Sequence, residues 1–289
     1  MPDGSVLLVE IAAGLLTRIG PDGHADTVAE LGGGPNGAAI GPDGHCYVCN
    51  NGGLGWLKRD GLCIPSAPPP PDWTGGSIQR VNLSTGQVEL LYTHCDGRPL
   101  RGPNDLVFDQ CGGFWFTDSG KLFERTADRG GVYYAQADGG GIRECVFPAE
   151  FPNGVALSPA EDMLYVCETL NGRLWRFRLS GPGQLLDQGS FADPANLLYA
   201  PGGYLGFDSM AVEDNGNICQ ATLFNGGISV VSPLGELVEF VALPDPLVTN
   251  LCFGGAELRY AYITLSATGR LVRMPWPRAG LALNHALKI

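Results

Sequence analysis

Apolar residues in this chain come in short runs, often alternating with polar ones and closed by turns rich in Gly, Pro, Asn and Asp. Runs of this kind predict half-buried β-strands. No stretch of useful length repeats its apolar residues at the helical period. One phrase recurs five times. It opens on Asn or Asp, passes through an apolar strand and a polar turn, enters a second apolar strand and ends in a turn that carries Gly. The copies begin at Asn36, Asn104, Asn153, Asp208 and Asn250, at spacings of 68, 49, 55 and 42 residues. Periods of this size mark solenoids or propellers, and repeats built from strands and turns predict a β-propeller.

Each full repeat reads as four antiparallel strands. The copy at Asn153 supplies NGVALS, MLYVCET, RLWRFRL and a weaker QLLDQGSF. The copy at Asp208 supplies DSMAVE, NICQAT, GISVVS and LVEFVAL. Near the start, VLLVEI, LLTRIG and DTVAEL match the second, third and fourth strands of a repeat, so the first blade lacks its inner strand in this sequence. The expectation is an all-β, six-bladed propeller of four-stranded antiparallel blades, five of them complete, forming a single domain over residues 1–289. Either a missing N-terminal segment or the tail GLALNHALKI would close the ring, because open strand edges invite mispairing.

Two loops interrupt the pattern. The longer, Asn51 to Gly76, accounts for the 68-residue spacing and carries Trp56, Lys58, Arg59 and Trp73. Long loops in compact domains tend to be lids or binding loops, and a proline-rich surface excursion is the alternative. The second, Asp193 to Gly206, bears Tyr and Leu and leads into Asp208.

Composition narrows the function classes. The net charge is −12 and Lys and Arg do not cluster, which argues against a nucleic-acid partner and an anionic membrane surface. No apolar run approaches a membrane span, and the N-terminal apolar stretch has no basic residues before it and contains Asp3 and Glu10. A cytoplasmic protein is expected, its nine cysteines reduced and mostly packed as small hydrophobes. The GGGPNG string at Gly32 fits a dinucleotide-binding spacing, but a strand and turn follow it where a helix is required. Cys46 and Cys49 fall three apart on a predicted strand and so face opposite sides. The four histidines form no metal-binding pattern, and no G-x-S-x-G elbow is present.

The candidate chemistry lies in the residues that open the repeats. A lone Asn or Asp at a strand start ordinarily satisfies turn backbone. Asn104, Asn153 and Asp208 stand at one point of a radial repeat, and inner strands lining a channel would bring their oxygens together, as a hard divalent cation requires.

The runs RGPNDLVFDQCGGFWFTDSG, FPNGVALSPAEDMLYVCET and GFDSMAVEDNGNICQA resemble the senescence-marker-protein (regucalcin)/gluconolactonase family, from about Pro2 to Asn284. That family comprises six-bladed propeller lactonases and related esterases with a metal in the central channel. The resemblance implies Asn153 and Asp208 as metal ligands, with Asn104 touching the metal, its water or the substrate, and Ser209 as an accessory ligand. It implies one divalent ion, calcium first, with zinc, manganese or magnesium as alternatives. The family's remaining ligand, a Glu in a Glu-Gly-Pro segment, would fall before Met1, and Glu10 is not its match. A missing N-terminal segment is the expected reason.

The implied reaction is the opening of a lactone by water, with the metal polarising the carbonyl, Asp208 as general base and the Asn104 amide helping at the oxyanion. Asp105 is expected behind the site; Glu168 and Asp118, at the ends of second strands, either share the site's face and assist or, as the favoured reading, are surface turn residues. Arg101, Trp56 and Asn36 are the substrate-binding candidates. The partner is a small-molecule lactone or ester, uncharged and partly apolar or aromatic. An aryl-ester or organophosphate hydrolase on the same metal site is the alternative, as is a binding propeller without catalysis. Oligomeric state is not readable from the sequence.

Overall fold

The structure is a computed structural model that describes residues 1–286. Nearly all of its regular elements are strands, and among the described residues the helical ones are confined to two short turns, Pro194–Asn196 and Ala256–Leu258. Six antiparallel sheets follow one another along the chain, each strand pairing mainly with its neighbour in sequence.

The first sheet holds Val6–Glu10, Leu15–Ile19 and Ala25–Glu30, and the second Pro35–Ile40, Cys46–Asn50, Ser77–Val81 and Val88–Tyr92. The third holds Pro103–Phe108, Gly113–Asp118, Gly130–Gln136 and Ile142–Ala149. Pro152–Leu157, Met163–Glu168, Arg173–Gly181 and Gln184–Leu185 make the fourth; Gly206–Val212, Ile218–Leu223, Gly227–Val231 and Leu237–Ala242 make the fifth. The sixth holds Val248–Gly254, Tyr260–Leu265 and Arg270–Pro275. The fold is a six-bladed β-propeller.

The chain divides into two compact units. One contains Met1–Trp56, Pro65–Cys145 and the residues from Leu283 on; the other contains Leu57–Ile64 and Val146–Ala282. Within each unit, strand alternation sorts the core. Cys46 and Val48 pack with Leu16 and Val81 on one side of their strand. Tyr47 and Cys49 pack with Ile78, Phe108 and Phe114 on the other. The two cysteines therefore face opposite ways, and neither belongs to a shared metal or redox pair. Burial pushes the Cys46 thiol up to about 12 and Cys49 well above its ordinary value, which keeps both inert. None of the nine cysteines is in a disulfide.

The first sheet has three strands, as expected. Val6–Glu10 packs against Pro35–Ile40 as the second strand Cys46–Asn50 packs against Pro103–Phe108, so the innermost position of that sheet is the one not filled.

Three details depart from the sequence reading. The sixth sheet also has three described strands rather than four. Its third strand ends on Pro275, Pro277 follows shortly after, and neither can donate to a ladder. The chain turns instead along its own unit, where Gly280 bridges Glu213 and Leu281 N–H bonds Val212 O at 2.8 Å. Of the tail, Asn284 Nδ2 donates to Phe108 O at 3.0 Å, and residues 287–289 lie outside the described residues.

In the fourth sheet Gln184–Leu185 pairs only briefly, and Leu197–Tyr199 joins Leu174 and Trp175. The long loop after Asn51 is not structureless. It folds a hairpin from Gly55–Arg59 and Leu62–Ser66. The apolar side of that hairpin sets Leu62 and Ile64 against Leu223, Leu247 and Ala267, and Cys63 N–H bonds Ala267 O at 2.9 Å.

Candidate functional site

The residues that open the repeats share one backbone device. In the third sheet Pro103 pairs with Asp118, and pairing resumes at Leu106 with Phe116, so Asn104 and Asp105 together oppose Thr117. The same two-against-one bulge holds Asn153 and Gly154, Asp208 and Ser209, and Asn36 and Gly37. A bulge re-aims side chains at a strand end and is common beside functional sites. The sixth sheet shifts by a single residue ahead of Asn250. Gly154 is required where it stands. A Cβ there would lie 2.7 Å from Asp208 O and 2.8 Å from Ser209 Cα, so the inner strands of the fourth and fifth sheets touch backbone to backbone.

In the first unit, Asn104 is buried and its Nδ2 donates to Ser119 Oγ at 3.0 Å. Its Oδ1 is buried with no hydrogen-bond partner. That orientation suits Asn104 to hold a cation or accept from a substrate hydroxyl better than to donate to an oxyanion. Asp105 is buried behind it, accepting from Leu106 N–H at 2.9 Å.

Asp118 is not a surface turn residue. It is 4 % exposed and accepts from the backbone N–H groups of Arg101, Gly102 and Gly120 at 2.7, 2.7 and 2.9 Å. It fastens the loop ahead of Asn104, because a buried N–H left unpaired is costly.

The sequence reading missed the cation beside it. Lys121 is 3 % exposed, and its Nζ donates to Gly53 O at 2.7 Å and Asn51 Oδ1 at 3.1 Å. Burial pulls its ammonium down to about 8, against the attraction of Asp118 and Asp128 and with the repulsion of Arg101. Its FTDSGK context gave no signal of burial. Arg101 stacks its guanidinium 4.4 Å from the Trp73 ring centroid and donates through Nε to Asp128 Oδ2 at 2.9 Å. The Trp73 indole donates to Asn51 O at 3.0 Å. Trp56, the other aromatic of the long loop, lies half-buried at the start of the hairpin, and Asn36 is half-buried at its bulge.

In the second unit, Asn153 is buried, and its Nδ2 donates to Thr169 Oγ1 at 3.0 Å. Thr169 Oγ1 in turn donates to Phe207 O at 2.7 Å, so one hydroxyl ties the fourth sheet's Asn to the residue before Asp208. Asp208 is half-buried. Its Oδ1 accepts from Ser209 N–H at 3.1 Å, and its backbone O accepts from Gln220 Nε2 at 2.6 Å and Cys167 Sγ at 2.8 Å. Glu168 is likewise buried rather than a surface turn residue. It accepts from Glu150 N–H at 2.6 Å, Trp175 Nε1 at 3.0 Å and Asn171 Nδ2 at 3.2 Å. With its acceptor sites taken up, it is a brace for the loop ahead of Asn153.

Among the described residues no three His, Cys, Asp or Glu side chains cluster as a metal site. The bulges carry side-chain oxygens throughout, in the first unit those of Asn36, Asn104 and Asp105 and in the second those of Asn153, Asp208 and Ser209. Oxygen donors fit calcium, magnesium or manganese better than a thiolate- or imidazole-loving ion, and the unpartnered buried Oδ1 of Asn104 is an acceptor in want of a donor or cation. The residues present therefore fit a hard divalent cation. Glu10 is exposed and accepts from Thr17 Oγ1.

Comparison with known proteins agrees with the fold. A family described as SMP-30/Gluconolactonase/LRE-like region matches residues 1–267. A gluconolactonase of Zymomonas mobilis is 27 % identical over 258 residues, 84 % of this chain and 65 % of its own length. The chain thus spans just under two thirds of that relative. Among solved structures, a gluconolactonase from Xanthomonas campestris superposes with a TM-score of 0.73 at 21 % identity, over 95 % of this chain and 83 % of that one. A calcium-binding regucalcin from Agrobacterium tumefaciens gives 0.71 at 17 % identity, over 91 % and 78 %. At these identities the structural likeness speaks for the fold.

Proposed function

The chain belongs to the SMP-30/gluconolactonase/LRE-like family, and from that premise we propose that it is a metal-dependent lactonase that opens a small-molecule lactone with water. The observation that carries the reading is the repeated bulge that presents Asn153 and Asp208 side by side on adjoining inner strands, with Asn153 oriented by Thr169 and Asp208 anchored through its backbone by Gln220 and Cys167. Asn153 and Asp208 would hold the cation, calcium first, with Asn104 as a further oxygen ligand and Ser209 as an accessory one. Bound there, a divalent ion supplies Lewis-acid polarisation of the ester carbonyl.

The chain's own groups do the rest. As water adds to the carbonyl carbon, its proton passes to the Asp208 carboxylate, the only acidic side chain among the four proposed ligands. The ring C–O bond then breaks, and the leaving oxygen takes up the proton held by Asp208, which returns the carboxylate to its starting state. Arg101, pinned by Trp73 and Asp128, offers its outer nitrogens to ring hydroxyls or a carboxylate, and Asn36 and Trp56 complete the substrate contacts. The nine cysteines without a disulfide support a reducing, cytoplasmic setting. No described helix is long and apolar enough to cross a membrane.

The test is elemental analysis of protein purified without chelator, with Asp208→Ala alongside and a lactone panel assayed with the ion found. The expected result is about one divalent ion per wild-type chain, lost in the variant together with ring opening. Metal without lactone turnover but with aryl-ester or organophosphate cleavage would move the reaction to that class. Neither metal nor turnover would make the chain a binding propeller.

A further inference from the structure

Beside Asp208 the second unit carries an apolar feature that lactone opening itself does not use. Tyr204 is 82 % exposed and Phe224 is 47 % exposed, yet their rings stack on each other with centroids 4.8 Å apart and planes 24° from parallel. Tyr204 ends the turn that leads into Asp208. Phe224 immediately follows the second strand of the same sheet. Leu170, 56 % exposed, sits in the turn after the second strand of the fourth sheet, where Gly172 packs on Leu205, the neighbour of Tyr204.

Phe224 also holds a left-handed backbone, φ 70°, which a bulky side chain adopts only at a cost. Its N–H bond to Pro246 O at 2.7 Å keeps it there. Strain of this sort gathers at ligand clamps.

Gly206 ties the pair to the site. A Cβ at Gly206 would lie 2.9 Å from Thr169 O and 3.5 Å from Phe224 Cε2. Thr169 is the residue that orients Asn153. One glycine therefore separates the aromatic pair from the hydrogen-bond chain behind the proposed ligands, all within one unit.

We propose that Tyr204 and Phe224 form an apolar subsite that takes the alkyl or aryl substituent of the lactone, so that the enzyme selects substituted, hydrophobic lactones over the bare or polyhydroxylated ring. The inference rests on the lactonase reading and names the substrate class for it. The exposed rings lose water contact when a substituent lies across them, and the gain grows with each methylene covered.

The test uses γ-lactones whose side chains lengthen from zero to four carbons, assayed on wild type, Tyr204→Ala and Phe224→Gly. Phe224→Gly keeps the left-handed backbone without strain, and Tyr204 is exposed, so both variants should fold. On wild type, kcat/KM rises about twofold per methylene, half the energy of full burial, and the ratio of the four-carbon to the unsubstituted ring is about fifteen. In each variant that ratio falls to roughly three or less. Affinity for the matching γ-alkyl lactams, which resist ring opening, is measured in parallel by calorimetry. Lactam affinity that climbs with chain length and flattens in the variants, without turnover of any lactone, would keep the subsite and overturn the reaction. Turnover or lactam affinity indifferent to chain length, or a slope equal in wild type and variants, would overturn the subsite.

Discussion

Asn104 and Asn153 hold the same place in consecutive repeats, and their surroundings diverge as sharply as their backbones agree. Each follows a strand-opening Pro, each lies in a two-against-one bulge, and each donates through Nδ2 to a hydroxyl just past the second strand, Ser119 or Thr169, at 3.0 Å. Behind each stands a buried carboxylate, Asp118 or Glu168, that fastens the preceding loop. Around Asn104 the loops add cations: Arg101 on Trp73, and buried Lys121. Around Asn153 they add apolar surface, Leu170 and the stacked Tyr204 and Phe224. The repeat fixes the inner layer by backbone geometry, and the variable loops decide what that layer meets.

The strongest way to break the comparison is to delete the two amides in turn. Asn153→Ala is expected to lower kcat/KM for lactones by about 10²-fold or more, because it removes a proposed oxygen ligand of the cation, where loss of a ligand's hydrogen-bond partner alone typically costs about 10–100-fold. If the two repeats are equivalent in chemistry as well as in backbone, Asn104→Ala falls in the same range. A loss of only a few-fold would make Asn104 a structural copy. Their hydroxyl partners give the finer version. Thr169→Val removes two bonds, to Asn153 and to Phe207 O, whereas Ser119→Ala removes Asn104's acceptor. About 10–100-fold is expected for Thr169→Val and less for Ser119→Ala. Equal effects would mean that the tie to Phe207 does not position Asp208.

The charged flank has its own signature in pH. Lys121 titrates near 8 in the folded protein against 10.5 ordinarily. Between those values the unfolded chain binds the extra proton, so stability rises with pH across that window and its lack is fully felt below it. Wild type should therefore gain about 2–3 kcal/mol relative to Lys121→Met between pH 8 and 10.5, read from urea denaturation. A constant difference between the two proteins across that range would show that the ammonium is better solvated than its contacts with Gly53 and Asn51 imply. The groups that could shift the window are Asp118, Asp128 and Arg101, which face Lys121.

What the sequence disclosed follows from the same division. The repeated Asn- or Asp-led strand is a local pattern, fixed by alternation and turn chemistry, so the blades and their inner strands were legible residue by residue. The bulges at Asn104, Asn153 and Asp208 were not, because a bulge depends on the partner strand's register. Asp118 and Glu168 read as surface turn residues because a carboxylate at a strand end is ordinarily solvated. Only the folded loop shows that each has buried N–H groups to satisfy. Lys121 and the Tyr204–Phe224 stack were hidden for a like reason: their partners lie 70 and 20 residues away in sequence. The hairpin inside the long loop was missed because Pro68 to Pro71 dominated the reading, whereas the strands end before them.

The smallest effect belongs to Trp73, and it separates two roles on the charged flank. The indole makes a bond to Asn51 O and a platform for Arg101. Trp73→Phe removes the first and leaves an aromatic face, so it should cost about 1 kcal/mol of unfolding free energy, one hydrogen bond's net worth. Trp73→Leu removes both and should add roughly 0.5–1 kcal/mol more, the value of a partly exposed cation–π contact. The kinetic readout carries the functional point. If Arg101 meets the substrate, Trp73→Leu should raise KM several-fold while kcat stays within about twofold, because a loosened guanidinium weakens ground-state binding rather than the reacting centre. Trp73→Phe should restore most of that KM. A KM unmoved by Trp73→Leu, despite the lost stability, would leave Arg101 as a structural partner of Asp128 and place substrate recognition on the apolar flank alone.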